Sequence, residues 1–166
     1  PDATTMSGYY GGDGVAVGIT TRDAGANIQF FYGSQRGNAR TNYGGFRSIN
    51  PVPSGSNLNQ FVTYFYLDPD NSNTLYFAGN TTQFGYGTLY RTNNASTIIT
   101  TIDGAANWTD LGDLPSGANI RSLAATRGAY TASSYLLIGG QSGEVFRLVD
   151  PQNAASSLAT ATNITP

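Results

Sequence analysis

Short runs rich in β-branched and aromatic residues recur along the chain, each closed by Gly, Asn, Asp or Thr: "VAVGIT" at 15–20, "IQFFYG" at 28–33, "FVTYFYL" at 61–67, "TLYFAG" at 74–79, "GTLYRT" at 87–92, "IRSLAAT" at 120–126, "YLLIGG" at 135–140 and "EVFRLV" at 144–149. No apolar stripe follows the 3.6-residue period of a helix. Runs of this length, separated by turn residues, predict an all-β domain.

The runs fall into three groups that repeat one order: an apolar strand opening at Val15, Val62 or Ile120, a polar loop, a second strand, an Arg-bearing third strand and an outer fourth strand. The second strands align as Ile28-Gln29-Phe30-Phe31, Leu75-Tyr76-Phe77-Ala78 and Leu136-Leu137-Ile138-Gly139. The third strands are "NARTN" at 38–42, "LYRTN" at 89–93 and "VFRLV" at 145–149, which sets Arg40, Arg91 and Arg147 in parallel. The fourth strands are "GFRSINP" at 45–51, "NWTDLGD" at 107–113 and "ATNITP" at 161–166. Equivalent positions lie from 47 residues (Val15 to Val62) to 62 residues (Phe46 to Trp108) apart. Four antiparallel strands repeated at that period are the pattern of propeller blades. The expectation is a single β-propeller segment over 1–166, with blades near 1–57, 58–114 and 115–166; a β-sandwich and a β-solenoid are the alternatives. Closed propellers use about four to eight blades. Three blades therefore predict a fragment of a larger ring, completed by further blades of the same propeller or by other chains.

Composition narrows the function classes. All eight cations are Arg, there is no Lys, His or Cys, and the net charge is -2. No basic field is available for polyanions, so nucleic-acid binding is not expected. Without Cys or His, thiol chemistry, the commonest general base and the softer metal ligands are all missing. No run approaches the roughly 18 apolar residues of a membrane span, so membrane insertion is not expected either. Low charge with abundant Asn, Thr, Ser, Gly and Tyr is a composition of secreted β-proteins, in which uncharged polar side chains cover the outward strand faces.

The segment "TIDGAANW" at 101–108 resembles the Asp-box of the sialidase-like propellers, the bacterial neuraminidase repeat, whose pattern is Ser/Thr-x-Asp-x-Gly-x-x-Trp. Thr101, Asp103 and Trp108 match it, and Ala105 stands where Gly is usual. "RTNYGGF" at 40–46 is a shorter, degenerate copy with Asn42 for Asp and Phe46 for Trp, and "RLVDPQNA" is weaker still. "LDPDNSNTLYFAGN" resembles a strand connection of the same superfamily, and "GGDGVAVGIT" the strand openings of secreted Bacteroidetes-type Asp-box proteins. The resemblance implies a peripheral, structural role for Thr101, Asp103 and Trp108: the Asp closes a hairpin on backbone N–H groups, and the Trp fills the space between neighbouring sheets.

Catalysis is not expected within these residues. A sialidase needs a converging arginine triad, whereas these Arg residues recur at repeat positions. "ARTNYGGFR" resembles a catalytic segment of xyloglucanases, yet Asn42 replaces its carboxylate, and an amide neither ionises nor delivers a proton. Asp13, flanked by glycines in "GGDGV", is the acidic candidate for a ligand contact, with Tyr10 beside it. Phe84 and Tyr86, in the loop "NTTQFGYGT", are candidates for stacking on sugar rings. Asp68 and Asp70 in "DPDNSN" have the alternating spacing of a sparse Ca²⁺ loop but lack the Gly and distal Glu that complete one; no cofactor is implied. The expected function is therefore a secreted, non-catalytic binding, adhesion or scaffold module, with carbohydrate as its candidate ligand. The alternatives are part of a propeller glycoside hydrolase whose carboxylates lie outside this segment, and a structural subunit of an extracellular assembly.

Overall fold

The computed structural model describes residues 16–22, 27–35, 39–43, 47–51, 62–80, 87–98, 107–155 and 158–166. They form twelve strands: β1 (Ala16–Arg22), β2 (Asn27–Gly33), β3 (Ala39–Thr41), β4 (Arg47–Ser48), β5 (Tyr64–Leu67), β6 (Leu75–Asn80), β7 (Gly87–Thr92), β8 (Thr109–Asp113), β9 (Ile120–Ala125), β10 (Tyr135–Gly140), β11 (Val145–Val149) and β12 (Thr162–Asn163). Single 3-10 turns at Ala95–Thr97 and Leu158–Thr160 follow the third strands of the second and third sheets.

Consecutive strands pair antiparallel to give three four-stranded sheets, β1-β2-β3-β4, β5-β6-β7-β8 and β9-β10-β11-β12. Each sheet is a simple meander. No strand crosses from one sheet to another, as a Greek-key sandwich requires, and the ladders are not the parallel ones of a solenoid.

The sheets pack face to face in chain order. Between the first and second lie Phe31, Ala39 and Ile49 against Leu75, Phe77, Tyr90, Ala95, Ile98 and Trp108. Between the second and third lie Tyr76, Ala78, Leu89, Leu111 and Leu114 against Ile120, Leu136, Ile138, Phe146, Leu148 and Leu158. The alternation of β6 explains this: Leu75 and Phe77 enter one core, and Tyr76 and Ala78 the other. Every residue of β7 is buried, as expected of a strand covered on both faces.

The first strands also lie together, β1 against β5 and β5 against β9. Gly18 makes the first approach possible, since a Cβ there would sit 3.0 Å from Leu67 Cβ. Gly87 does the same for the second pair of sheets: its Cβ would meet the Ile120 backbone N at 2.5 Å. Two β-bulges adjust the ladders, one placing Leu111 in the core of sheets two and three, the other leaving Arg121 without a cross-strand partner opposite Gly139 and Gly140.

The strand registers correct the sequence alignment. Thr41 pairs with Phe31 and Arg47, as Arg91 pairs with Tyr76 and Thr109 and Arg147 with Leu137 and Thr162. Thr41, not Arg40, is thus the counterpart of the other two arginines, and Phe31, not Gln29, the counterpart of Tyr76. Arg40 falls on the opposite face of its sheet.

Candidate functional site

The densest polar cluster among the described residues joins the β5–β6 loop to the β9–β10 loop and the turn after β11. Asp68 starts it. Its Oδ1 accepts the backbone N–H groups of Asp70 (2.9 Å) and Asn71 (3.1 Å), closing the turn that the Asp-Pro sequence sets up. Its Oδ2 accepts Gln152 Nε2 at 3.2 Å, and Asn71 Nδ2 donates back to Gln152 Oε1 at 3.2 Å. Asp70 receives Arg127 Nε at 2.9 Å, Arg127 Nη2 at 3.1 Å and the Gly128 N–H at 2.6 Å. The Arg127 guanidinium, followed by the Gly128 amide, holds the Asp70 carboxyl below its ordinary value.

Further along, the Tyr130 hydroxyl donates to Asp150 and accepts the Gln152 N–H at 3.0 Å. Burial and the Asp150 hydrogen bond push this phenol up to about 12. Arg91 reaches across from β7 and donates to the carbonyls of Pro151 (2.9 Å) and Ala154 (2.6 Å) and to Thr109 Oγ1 (3.2 Å). Burial lowers its pKa and raises that of neighbouring Tyr76, whose hydroxyl has no protein partner. These groups enclose a small cavity of about 70 Å³ lined by Asp68, Asp70, Thr126, Tyr130, Ser134 and Gln152. Chemically the cluster is a staple between sheets: its carboxylates are saturated by backbone amides and a guanidinium. A Ca²⁺ ion at Asp70 would have to displace Arg127. Among the described residues no three metal-capable side chains come together.

A second concavity, of about 250 Å³, runs along the seam of β1 and β5, lined by Val17, Gly18, Ile19, Phe65, Tyr66 and Leu67. Val17 and Ile19 on its rim are 70% and 69% exposed.

Trp108 is buried between the first two sheets, edge-on to Phe77 at 6.0 Å, and its Nε1 donates to the Ile49 carbonyl at 2.9 Å. The other residues singled out from the sequence, Tyr10, Asp13, Phe84, Tyr86, Thr101 and Asp103, lie outside the described residues. Asn42, where the sequence resemblance to xyloglucanases implies a carboxylate, accepts the Phe30 N–H at 3.0 Å and donates to the Ile28 carbonyl at 3.1 Å. An ionised carboxylate could accept the first bond but not donate the second. Arg127, Tyr130 and Gln152 were not singled out from the sequence; the first two carry the signal that "TRGAY" occupies in the third group the place of "DPDNSN" in the second, and Gln152 lies in "RLVDPQNA".

Compared with protein-family models, curated proteins and solved structures, the chain matches none. Among the described residues no helix is long and apolar enough to cross a membrane.

Proposed function

We propose that the chain forms three blades of a sialidase-like Asp-box propeller that serves outside the cell as a non-catalytic carbohydrate-binding or scaffold module. The observation that carries the fold reading is the fan of three meander sheets whose first strands, β1, β5 and β9, lie side by side. Gly18 lets β1 approach Leu67 and Phe65 of β5 at the seam of these strands, while Trp108, Ile49 and Ile98 pack near the fourth strands. Close approach of the first strands, with bulky packing near the fourth, supports a reading of the sheets as blades set around an axis.

The non-catalytic reading rests on the acids. Asp68, Asp70, Asp110, Asp113, Asp150 and Glu144 each accept a hydrogen bond from a nearby backbone or side-chain donor within the fold. A glycosidase needs a carboxylate pair facing one cleft at a set separation, whereas these six described acids are tied to local turns, hairpins and the staple between sheets. The open outward face of the first sheet, with Val17, Ile19 and Ile28 between 62% and 70% exposed, favours a further sheet laid upon it, from the same protein or from another chain.

The test is a polysaccharide array run beside a panel of chromogenic glycosides. Retention without turnover is expected. Turnover that an acid-to-amide change at Asp13 or Asp103 abolishes would overturn the reading in favour of a glycoside hydrolase.

A further inference from the structure

The described arginines have different fates. Arg91 is buried on carbonyl oxygens and Arg127 is paired with Asp70, whereas Arg121 has no carboxylate partner among the described residues and is nonetheless held in one place. Its Nη2 donates to Gln141 Oε1 at 2.9 Å, and its guanidinium lies over the Tyr64 ring, 5.8 Å from the centroid. The β-bulge opposite Gly139 and Gly140 is the cause: as the unpaired residue of β9, Arg121 is turned into the seam between the first strands of the second and third sheets, where Tyr64 stands. Bulges that re-aim one side chain are over-represented beside functional sites.

The surroundings offer spare donors, beside one buried acceptor, Asn119 Oδ1, that has no protein partner. Gln141 Oε1 is already used twice, by Arg121 and by Asn119 Nδ2 at 3.0 Å; among the described residues neither the Gln141 amide hydrogens nor the Tyr64 hydroxyl has a hydrogen-bond partner. Glu144, the acid of the same hairpin, accepts the Ser142 N–H at 3.0 Å. A guanidinium fixed by stacking keeps a free fork for a planar oxyanion, and the cost of ordering it is met before a ligand arrives. With a net charge of -2 the molecule has no general pull on polyanions, so recognition must be local.

We propose that Arg121, with Gln141 and Tyr64, forms an anionic subsite that takes the carboxylate of a hexuronate unit in an acidic polysaccharide. This rests on the carbohydrate-binding reading above and gives it a substrate class.

Affinity electrophoresis of the purified full chain tests it in gels containing polygalacturonate, a neutral galactan or a sulfated galactan. Polygalacturonate is expected to retard the protein most. Arg121→Gln weakens that retardation roughly tenfold or more, in line with loss of a charge-assisted pair. Arg121→Lys restores part of it, and Arg147→Gln, at an exposed position of β11, leaves it unchanged. Gln141→Ala, which removes the orienting amide and leaves the strands intact, is expected to weaken it too and stands in if Arg121→Gln fails to fold. Wild-type retardation by Arg121→Gln, an equal loss in Arg147→Gln, or tighter binding of the sulfated polymer would each overturn the assignment. Binding to the neutral galactan alone would remove this subsite and keep the carbohydrate reading; binding to none of the three would remove both.

Discussion

Trp108 does two jobs whose costs separate. Its ring packs in the core between the first two sheets, and its Nε1–H satisfies the Ile49 carbonyl just after β4. Trp108→Phe keeps most of the packing and orphans the carbonyl, so a loss of about 1–3 kcal/mol is expected; Trp108→Ala adds a cavity and should cost about 3–5 kcal/mol. Urea unfolding followed by far-UV circular dichroism measures both, with an unchanged slope marking a pure stability effect. Asn42 poses the opposite case. Asn42→Asp supplies the carboxylate that a xyloglucanase would carry, but at neutral pH it can no longer donate to Ile28 and sets a negative charge against that carbonyl. Destabilisation of about 1–3 kcal/mol with no glycosidase activity is expected. Measurable hydrolysis of xyloglucan by this variant would show that the segment keeps the rest of a catalytic site.

At the scale of elements, the Asp70–Arg127 contact ties the β5–β6 loop to the loop that follows β9. Because the folded carboxyl lies below its unfolded value, its stabilisation is present above the unfolded carboxylate pKa and is lost as pH falls through the lower folded one. Both side chains face solvent, so the effect is small and screened by salt. Melting temperatures of wild type and Asp70→Asn should therefore differ near neutrality, converge in acid and differ less in molar salt. Tyr130 runs the other way. Its folded value is raised to about 12, so its contribution is intact below the ordinary tyrosine range and fades as pH rises toward 12, a decline absent from Tyr130→Phe. The strands themselves were legible: the runs at 28–33, 74–79, 87–92, 135–140 and 144–149 became β2, β6, β7, β10 and β11 because period-two patterning and the turn residues agree there. Register was less so. The three Arg-Thr or Arg-Leu pairs look alike in sequence, yet a one-residue slip turns a side chain to the other face, and pairing with Phe31 sends Thr41, not Arg40, toward the second sheet. The staple of Asp68, Asp70, Arg127 and Gln152 was not legible at all, because its partners stand 57 to 84 residues apart and no local pattern marks such a contact.

The described residues form a stack of three sheets in which the middle one is covered on both faces. Gly18 and Gly87 set how closely its neighbours approach, so Gly87→Ala, aimed at backbone 2.5 Å away, should cost more than Gly18→Ala, aimed at the Leu67 side chain. The outer faces are a different matter. Val17, Ile19 and Ile28 form an apolar face on the first sheet, and on the third Val149 is half exposed beside Arg147. A face of this kind is stable in water only at the cost of the roughly 1.5–3 kcal/mol that each large apolar side chain gains on burial. Ile19→Lys tests whether that gain is taken up. If another sheet covers the face in the native protein, the substitution buries a charge with no partner and should lower stability by roughly 2–4 kcal/mol or release the covering chain, visible as a drop in mass by size exclusion with light scattering. A bare face would accept the lysine with a change within about 0.5 kcal/mol, since surface substitutions away from special features rarely do more. The propeller reading requires the first result: blades set around an axis are covered on both sides, and a three-sheet stack that ends in water would be a different architecture.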